Sequence, residues 1–413
     1  MKIEQVIGRE IYDSRGHPTL ECELVLDEGL HVIASVPSGM SKGPYAAAEL
    51  RDKKRLMGLG VNKAIESLED NIAPILIGHK PSVVELDLAM IEADGTENKS
   101  HLGANAMLAA SIAVCRAQAA IDGVPLYDLI AYLCNYNSVS IPFPMFNVIN
   151  GGAHSDSTLP IQELMIIPVD QRTFRSAFEE SITTFHAIEK LLQKKGKQVG
   201  IGDEGGFSAD FKDEYEALDV LSEALEQSQG KFVIALDLAA NQLYDSKTKK
   251  YQWYKKKLSR DELIARYVDL VDKYPILSIE DGIDAADWDG WSLLMNTLGD
   301  TVQIVGDDLF ATNVQRVALG VEDGLANAVV IKPNQVGTVT EALQAVKFAK
   351  DNGWNVIASH RSGETNDSFI VDLAVGISAD YIKAGGCCRG ERLSKYNQLL
   401  RIEDTLQRSL LEE

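Results

Sequence analysis

Six short apolar runs in the second half of the chain each stop on a titratable side chain. FVIALD ends on Asp237, LSIE on Glu280, VQIVGD on Asp307, VVIK on Lys332, VIASH on His360 and YIK on Lys383. Their length and β-branched content predict buried strands. Stretches of helical period separate them, at intervals close to the ~30 residues of a βα unit. Two further apolar runs, PFPMFNVIN and IQELMIIPV, come earlier and are followed by helical stretches over 174–195 and 215–229. Eight strands after residue 140 predict a β/α barrel, and such barrels carry their active sites at the C-terminal strand ends. Packing alone gives no reason for six strands to finish on chemically useful groups.

The first part of the chain follows other periods. Residues 1–36 alternate apolar and polar positions around the turn signals DSRG (13–16) and DEG (27–29), which predicts an antiparallel meander. Residues 37–44, PSGMSKGP, read as a mobile loop. From Ala46 to about Cys134 the periods are helical. The expected organisation is an α+β domain over 1–138 and a catalytic barrel over 139–413. The most apolar stretch, 102–120, contains Asn105, Arg116 and Gln118, and reads as a buried helix rather than a membrane span.

Composition narrows the function. Apolar residues make up 45 % of the 413, enough for a large core, and the net charge is −21. That charge argues against nucleic-acid or anionic-membrane partners. It also requires that any bound anion meet a local gathering of cations or metal. Five cysteines without a C-x-x-C spacing argue against a disulfide framework or zinc site. With an N-terminus (MKIEQ) that lacks the apolar core of a signal peptide, they lead us to expect a cytoplasmic location.

Asp237, Glu280 and Asp307, delivered from neighbouring strands, form a hard oxygen-donor set that favours Mg²⁺ over zinc. The alternative for any one of them is a carboxylate capping the next helix. Lys332 and Lys383 sit in apolar surroundings; near a divalent cation an ammonium gives up its proton more readily, which supplies a general base. His360-Arg361-Ser362 makes an anion cradle suited to phosphate or carboxylate. Residues 200–205 spell G-x-G-x-x-G, but two acids inside the turn would repel a pyrophosphate. A loop presenting Glu204 as an acid fits better. The basic, aromatic segment 247–257 reads as an exposed hairpin rather than an RNA contact. Cys387 and Cys388 read as free thiols near the rim of the site.

These motifs resemble the enolase family along essentially the whole chain: DSRGHPTLE (13–21), DGTENKSHLGANA (94–106), NVINGGAH (147–154), GDEGGF (202–207), SIEDG (278–282), KPNQVGT (332–338), SHRSGET (359–365) and ERLSKYNQLLRIED (391–404). The resemblance implies a ββαα(βα)₆ barrel whose second strand is antiparallel, behind a smaller α+β domain. It implies dehydration of 2-phosphoglycerate to phosphoenolpyruvate with two Mg²⁺ per site, the second arriving with substrate. By position it assigns Asp237, Glu280 and Asp307 to the metal, with Ser41 of the mobile loop on the second ion. It makes Lys332 the base and Glu204 the acid, with Glu163 beside it. His154, Gln162, His360, Arg361, Ser362 and Lys383 become substrate contacts. It also implies a homodimer or an oligomer of dimers, with a cross-subunit ion pair between Arg9 and Glu391. Three stretches depart from the family's usual sequence: Met40 and Lys42 beside Ser41, Ala46, and Ala384-Gly385-Gly386-Cys387 after Lys383. A non-catalytic binding or scaffold protein of the same fold is the alternative expectation, and another lyase of the superfamily acting on a non-phosphorylated acid is the nearer rival.

Overall fold

The computed structural model of the chain describes residues 1–39 and 43–412, with side chains through Ser409. The alternating N-terminal pattern folds as a meander of β1 (Ile3–Tyr12), β2 (Pro18–Leu26) and β3 (His31–Ser35), all antiparallel. Its turns fall at the two expected signals. Helices Val83–Asp94, Ala104–Asp122 and Leu126–Leu133 follow. The apolar helix Ala104–Asp122 is long enough to span a membrane by composition, yet 78 % of that window is buried inside the molecule. It is the central core helix of this part.

One expectation needs correcting. Residues 46–61 are not a regular helix; the first helical turn after them is Asn62–Ser67. The backbone groups of 46–61 pair with distant ones instead, as where Ala47 and Ala48 donate to the carbonyls of Gln335 and Asn98, each at 2.7 Å. Arg51 donates to the carbonyls of Pro18 and Leu59, each at 2.6 Å. Asp52 accepts from the N–H groups of Asn62 and Lys63. Leu56 and Met57 take left-handed backbone angles, which no helix tolerates.

The barrel comprises β4 (Phe143–Asn150), β5 (Glu163–Pro168), β6 (Phe232–Asp237), β7 (Ile276–Glu280), β8 (Gln303–Gly306), β9 (Ala328–Ile331), β10 (Asn355–Ser359) and β11 (Tyr381–Lys383). β11 pairs with β4, so the sheet closes. β5 is antiparallel to both its neighbours, and helices Phe174–Lys194 and Glu214–Gln227 follow it before six βα units. The fold is therefore a ββαα(βα)₆ barrel behind an α+β region. Inside, Met145, Met165, Ile167, Ala235, Val305, Ala328, Val330 and Ile357 pack against one another. The basic segment 247–257 lies in a small three-stranded sheet, where Tyr251 and Trp253 are buried and Lys250, Lys256 and Lys257 point outward. Tyr251 and Trp253 belong to the core, and Tyr254 is partly buried.

The N-terminal region forms part of the barrel's mouth. Ser38 forms an isolated antiparallel bridge with Gly363. Arg15 donates to the Ser38 carbonyl at 2.8 Å and to the Ser362 hydroxyl at 3.2 Å. Gly363 tolerates this because it has no side chain: a Cβ there would sit 2.1 Å from Asp13 Oδ2.

Candidate active site

The strand ends bring the expected residues together around one polar pocket. Asp237, Glu280 and Lys383 are the last residues of β6, β7 and β11. Asp307, Lys332 and His360 come one residue after β8, β9 and β10. Because β5 runs the other way, its first residue, Glu163, lies at the same mouth, in register with Asp237.

Lys383 is the hub of one side. Its fully buried ammonium lies 2.9 Å from Asp237 Oδ2, 2.9 Å from Glu280 Oε2 and 3.2 Å from Glu163 Oε1. Burial alone would lower its pKa, but these three carboxylates outweigh that and hold it well above the usual lysine value. Glu280 is pushed up to about 8 by burial and by Asp237. Gln162 donates to Asp237 Oδ2 at 3.1 Å and is itself held by Gln242.

Lys332 is ion-paired with Asp307 on the next wall. Burial is the largest influence on Lys332 and pushes it down, but the carboxylates around it, Asp307 first and Glu280 after it, together hold it above the usual lysine value. Gln335 donates to the other Asp307 oxygen at 3.0 Å. Asp281 was not among the expected site residues. Its two oxygens accept the backbone N–H groups of Asp307 and Asp308, at 3.0 and 2.9 Å, so it fixes the turn that aims both side chains. Asp308, which also lines the cavity, accepts from Asn241 at 3.0 Å.

The acid cluster faces Lys332 from the opposite wall, four strands around the barrel. Polar atoms of His154, Glu163 and Glu204 lie within 4.8 Å of one another. His154 Nδ1 is 3.0 Å from Glu204 Oε2, and Asn147 donates to the same oxygen at 3.1 Å. Burial and the neighbouring Glu204 carboxylate raise Glu163 well above the usual range. Burial would raise Glu204 too, but the neighbouring His154 pulls the other way, and Glu204 comes to lie well below the usual carboxylate range. The two carboxyls titrate as a pair, with Glu163 the one whose proton is favoured. The loop after Lys383 holds the Glu204 loop in place: Gly386 N–H donates to the Glu204 carbonyl at 2.7 Å, and Cys388 Sγ lies 3.3 Å from the Gly205 carbonyl. Cys387 and Cys388 are unbridged.

Arg361 and Ser362 complete the lining. Arg361 donates to Asn334 Oδ1 at 2.8 Å. A Cβ on Gly39 would fall 1.7 Å from the Arg361 guanidinium, and one on Gly43 would fall 2.5 Å from Asp308 Oδ1. Ser41, expected to touch a second metal, lies outside the described residues, as do Met40 and Lys42.

The donor set suits a divalent cation. Six carboxylates line the cavity (Glu163, Glu204, Asp237, Asp281, Asp307, Asp308), and Glu280 joins them through Lys383. The lining lysines and arginine are Lys332, Arg361 and Lys383. A dense group of buried oxygens with more acids than bases accepts a hard cation readily. Of the three expected ligands, Asp307 converges with Asp281 and Asp308, whereas Asp237 and Glu280 converge on the Lys383 ammonium. Asp281 is engaged by two N–H groups and Asp307 by Lys332 and Gln335, so a cation on that side would take over the Asp307 oxygen that now faces Lys332.

Sequence reading also missed Arg392, which is fully buried behind His360. Its signal was faint: an arginine on a final helix of ordinary amphipathic pattern.

A closed β/α barrel with acids and lysines gathered at the C-terminal ends of its strands is the architecture of a barrel enzyme. Two family descriptions match the chain: "Enolase, N-terminal domain" over residues 3–130 and "Enolase, C-terminal TIM barrel domain" over residues 138–410. The chain belongs to the enolase family.

Proposed function

We propose that this protein is a Mg²⁺-dependent lyase that reversibly dehydrates 2-phosphoglycerate to phosphoenolpyruvate, and that it works in the cytoplasm as a dimer or an assembly of dimers. The observation that carries this reading is the opposition of Lys332 and the Glu163–Glu204 pair across one barrel mouth. Elimination of water next to a carboxylate needs a base on one face and a proton donor on the other.

Asp237, Glu280 and Asp307 would hold the first Mg²⁺, and Ser41, outside the described residues, is assigned to the second, which would arrive with substrate. Bound cations supply Lewis-acid stabilisation of the ene-diolate, and a lysine base beside Mg²⁺ is the known pattern of the enolase superfamily. Lys332 takes the C2 proton. With the Asp307 charge committed elsewhere, burial remains as the main influence on Lys332 and favours its free amine. Lys383 adds fixed positive charge beside the substrate carboxylate. The C3–O bond then breaks, and a proton from the Glu163–Glu204 pair leaves with the hydroxide as water. His154 and Gln162 orient these groups. His360, Arg361 and Ser362, backed by Arg15, supply the phosphate contacts, which favours a phosphorylated substrate over other acids.

The direct test is Mg²⁺-dependent formation of phosphoenolpyruvate by purified protein. Lys332→Ala is expected to abolish exchange of the C2 proton with solvent while substrate still binds. Glu204→Gln is expected to keep exchange but lose dehydration by about 10²–10⁴-fold. Undiminished exchange in Lys332→Ala would remove the base assignment. Absence of turnover in the wild type would favour a binding or scaffold role.

A further inference from the structure

Arg392 does more than fill space behind the cavity. It is 0 % exposed, and its Nη1 lies 2.6 Å from His360 Nδ1. The same nitrogen donates to the Arg361 carbonyl at 2.8 Å, while Nη2 donates to the carbonyls of Ser362 and Asp203 at 2.7 and 3.0 Å. The guanidinium fork is therefore spread over two loops: the one that carries His360 to Ser362 and the one that carries Glu204.

The contact with His360 settles a question of chemistry. Arginine has only donors and stays protonated in proteins. A hydrogen bond between it and an imidazole nitrogen can run only from arginine to a nitrogen without hydrogen. Nδ1 of His360 is therefore the acceptor, and the ring's one proton is on Nε2. That nitrogen is buried, has no hydrogen-bond partner among the described residues, and lies 3.7 Å from Glu204 Oε1. It faces the cavity with an unused N–H.

We propose that Arg392 is a positioning residue that locks His360 as the neutral Nε2–H tautomer, a fixed donor for a substrate oxygen arriving beside Glu204. An imidazolium is excluded because its Nδ1–H would point at the guanidinium. Burial also pushes the His360 pKa well below its ordinary value; Glu204 opposes that, and Arg392, Lys383 and Lys332 reinforce it. His360 thus offers the same hydrogen-bond donor throughout the neutral range. The role of that donor in turnover rests on the dehydration reading, but the tautomer does not.

The first experiment is ¹H–¹⁵N spectroscopy of histidine side chains in the full-length wild type, with His360→Gln to assign the signal. The expected result is an unprotonated Nδ1 and a protonated Nε2, unchanged from pH 6 to pH 9. A protonated Nδ1, or titration within that range, overturns the proposal whether or not the enzyme dehydrates 2-phosphoglycerate. The second uses Arg392→Lys, which keeps the buried charge but cannot reproduce the fork. The expected result is a tenfold or greater fall in kcat, little change in KM, and a new acid limb near neutral pH as His360 becomes able to take a proton. A purely structural role would lower thermal stability and the active fraction while leaving the pH profile superimposable on the wild type, and that outcome also overturns the proposal. If Arg392→Lys does not fold, the wild-type spectrum still decides.

Discussion

Asp281 has a left-handed backbone (φ 45°), a conformation that aspartate and asparagine enter more readily than most residues. The cost is offset by two backbone hydrogen bonds that orient Asp307 and Asp308. Asp281→Asn keeps the backbone preference but turns one acceptor into a donor facing an N–H. Partners that orient a metal ligand typically govern affinity by 10–100-fold. Half-saturating Mg²⁺ is therefore expected to rise about tenfold, with KM for substrate at saturating Mg²⁺ little changed; titration of activity with Mg²⁺ checks this. At this scale the sequence was informative wherever a charge ended an apolar run, as at Asp237, Glu280 and Lys332. It was uninformative for Asp281 and Arg392, whose partners are backbone groups on other loops. Composition and spacing along the chain do not encode such contacts.

Six of the barrel's helices are held at their starts by side chains. Thr173, Asp213, Asp287, Asn313 and Thr338 each accept from a backbone N–H three residues on, and Ser259 with Glu262 forms a complete capping box. Ser259→Ala removes one half of the box and is expected to cost about 1 kcal/mol, read as a lower urea midpoint with an unchanged slope. Helix Arg260–Lys273 lies on the barrel's outside, so kcat is expected to stay as in the wild type. Elements with a clear period and a cap were legible in the sequence, and the eight barrel strands were read from their apolar runs. Residues 46–61 were misread because their backbone pairs with distant groups, as where Ala47 and Ala48 donate to the carbonyls of Gln335 and Asn98. The local pattern there looks helical, and tertiary contacts override it.

The junction between the N-terminal helices and the barrel is polar as well as packed. Arg116 meets Asp367 through two bonds of 2.7 Å, and Lys99 reaches Glu341 at 2.8 Å. Asp87, fully buried, accepts from the N–H and hydroxyl of Thr340 at 2.9 and 2.7 Å. Burial pushes its pKa up to about 6, against those hydrogen bonds. A raised carboxyl pKa means that the folded state holds its proton more tightly than the unfolded one. Its contribution to stability is complete below about pH 4 and is lost as pH rises through 6. Asp87→Asn does not ionise, so its stability relative to the wild type is expected to increase between pH 4 and 6 and then level off. A shift of about two pKa units sets an upper limit of about 3 kcal/mol, and thermal melts across that pH range measure it. None of this junction was legible in the sequence, because each pair unites residues from distant parts of the chain.

The closure of the mouth by Arg15 and Ser38 carries a consequence in time. Ser14 and Ser362, which meet there, are 348 residues apart in the chain. At about 5–20 residues per second, ribosomal synthesis separates their appearance by about 20–70 s. Throughout that wait the N-terminal meander is available to fold, while the segment that completes its side of the site has yet to be made. A nascent chain released short of Gly363 would lack that seam, whatever the quality of its finished strands. Competence for the chemistry therefore arrives late and abruptly during synthesis, once the ends of the polypeptide can find each other.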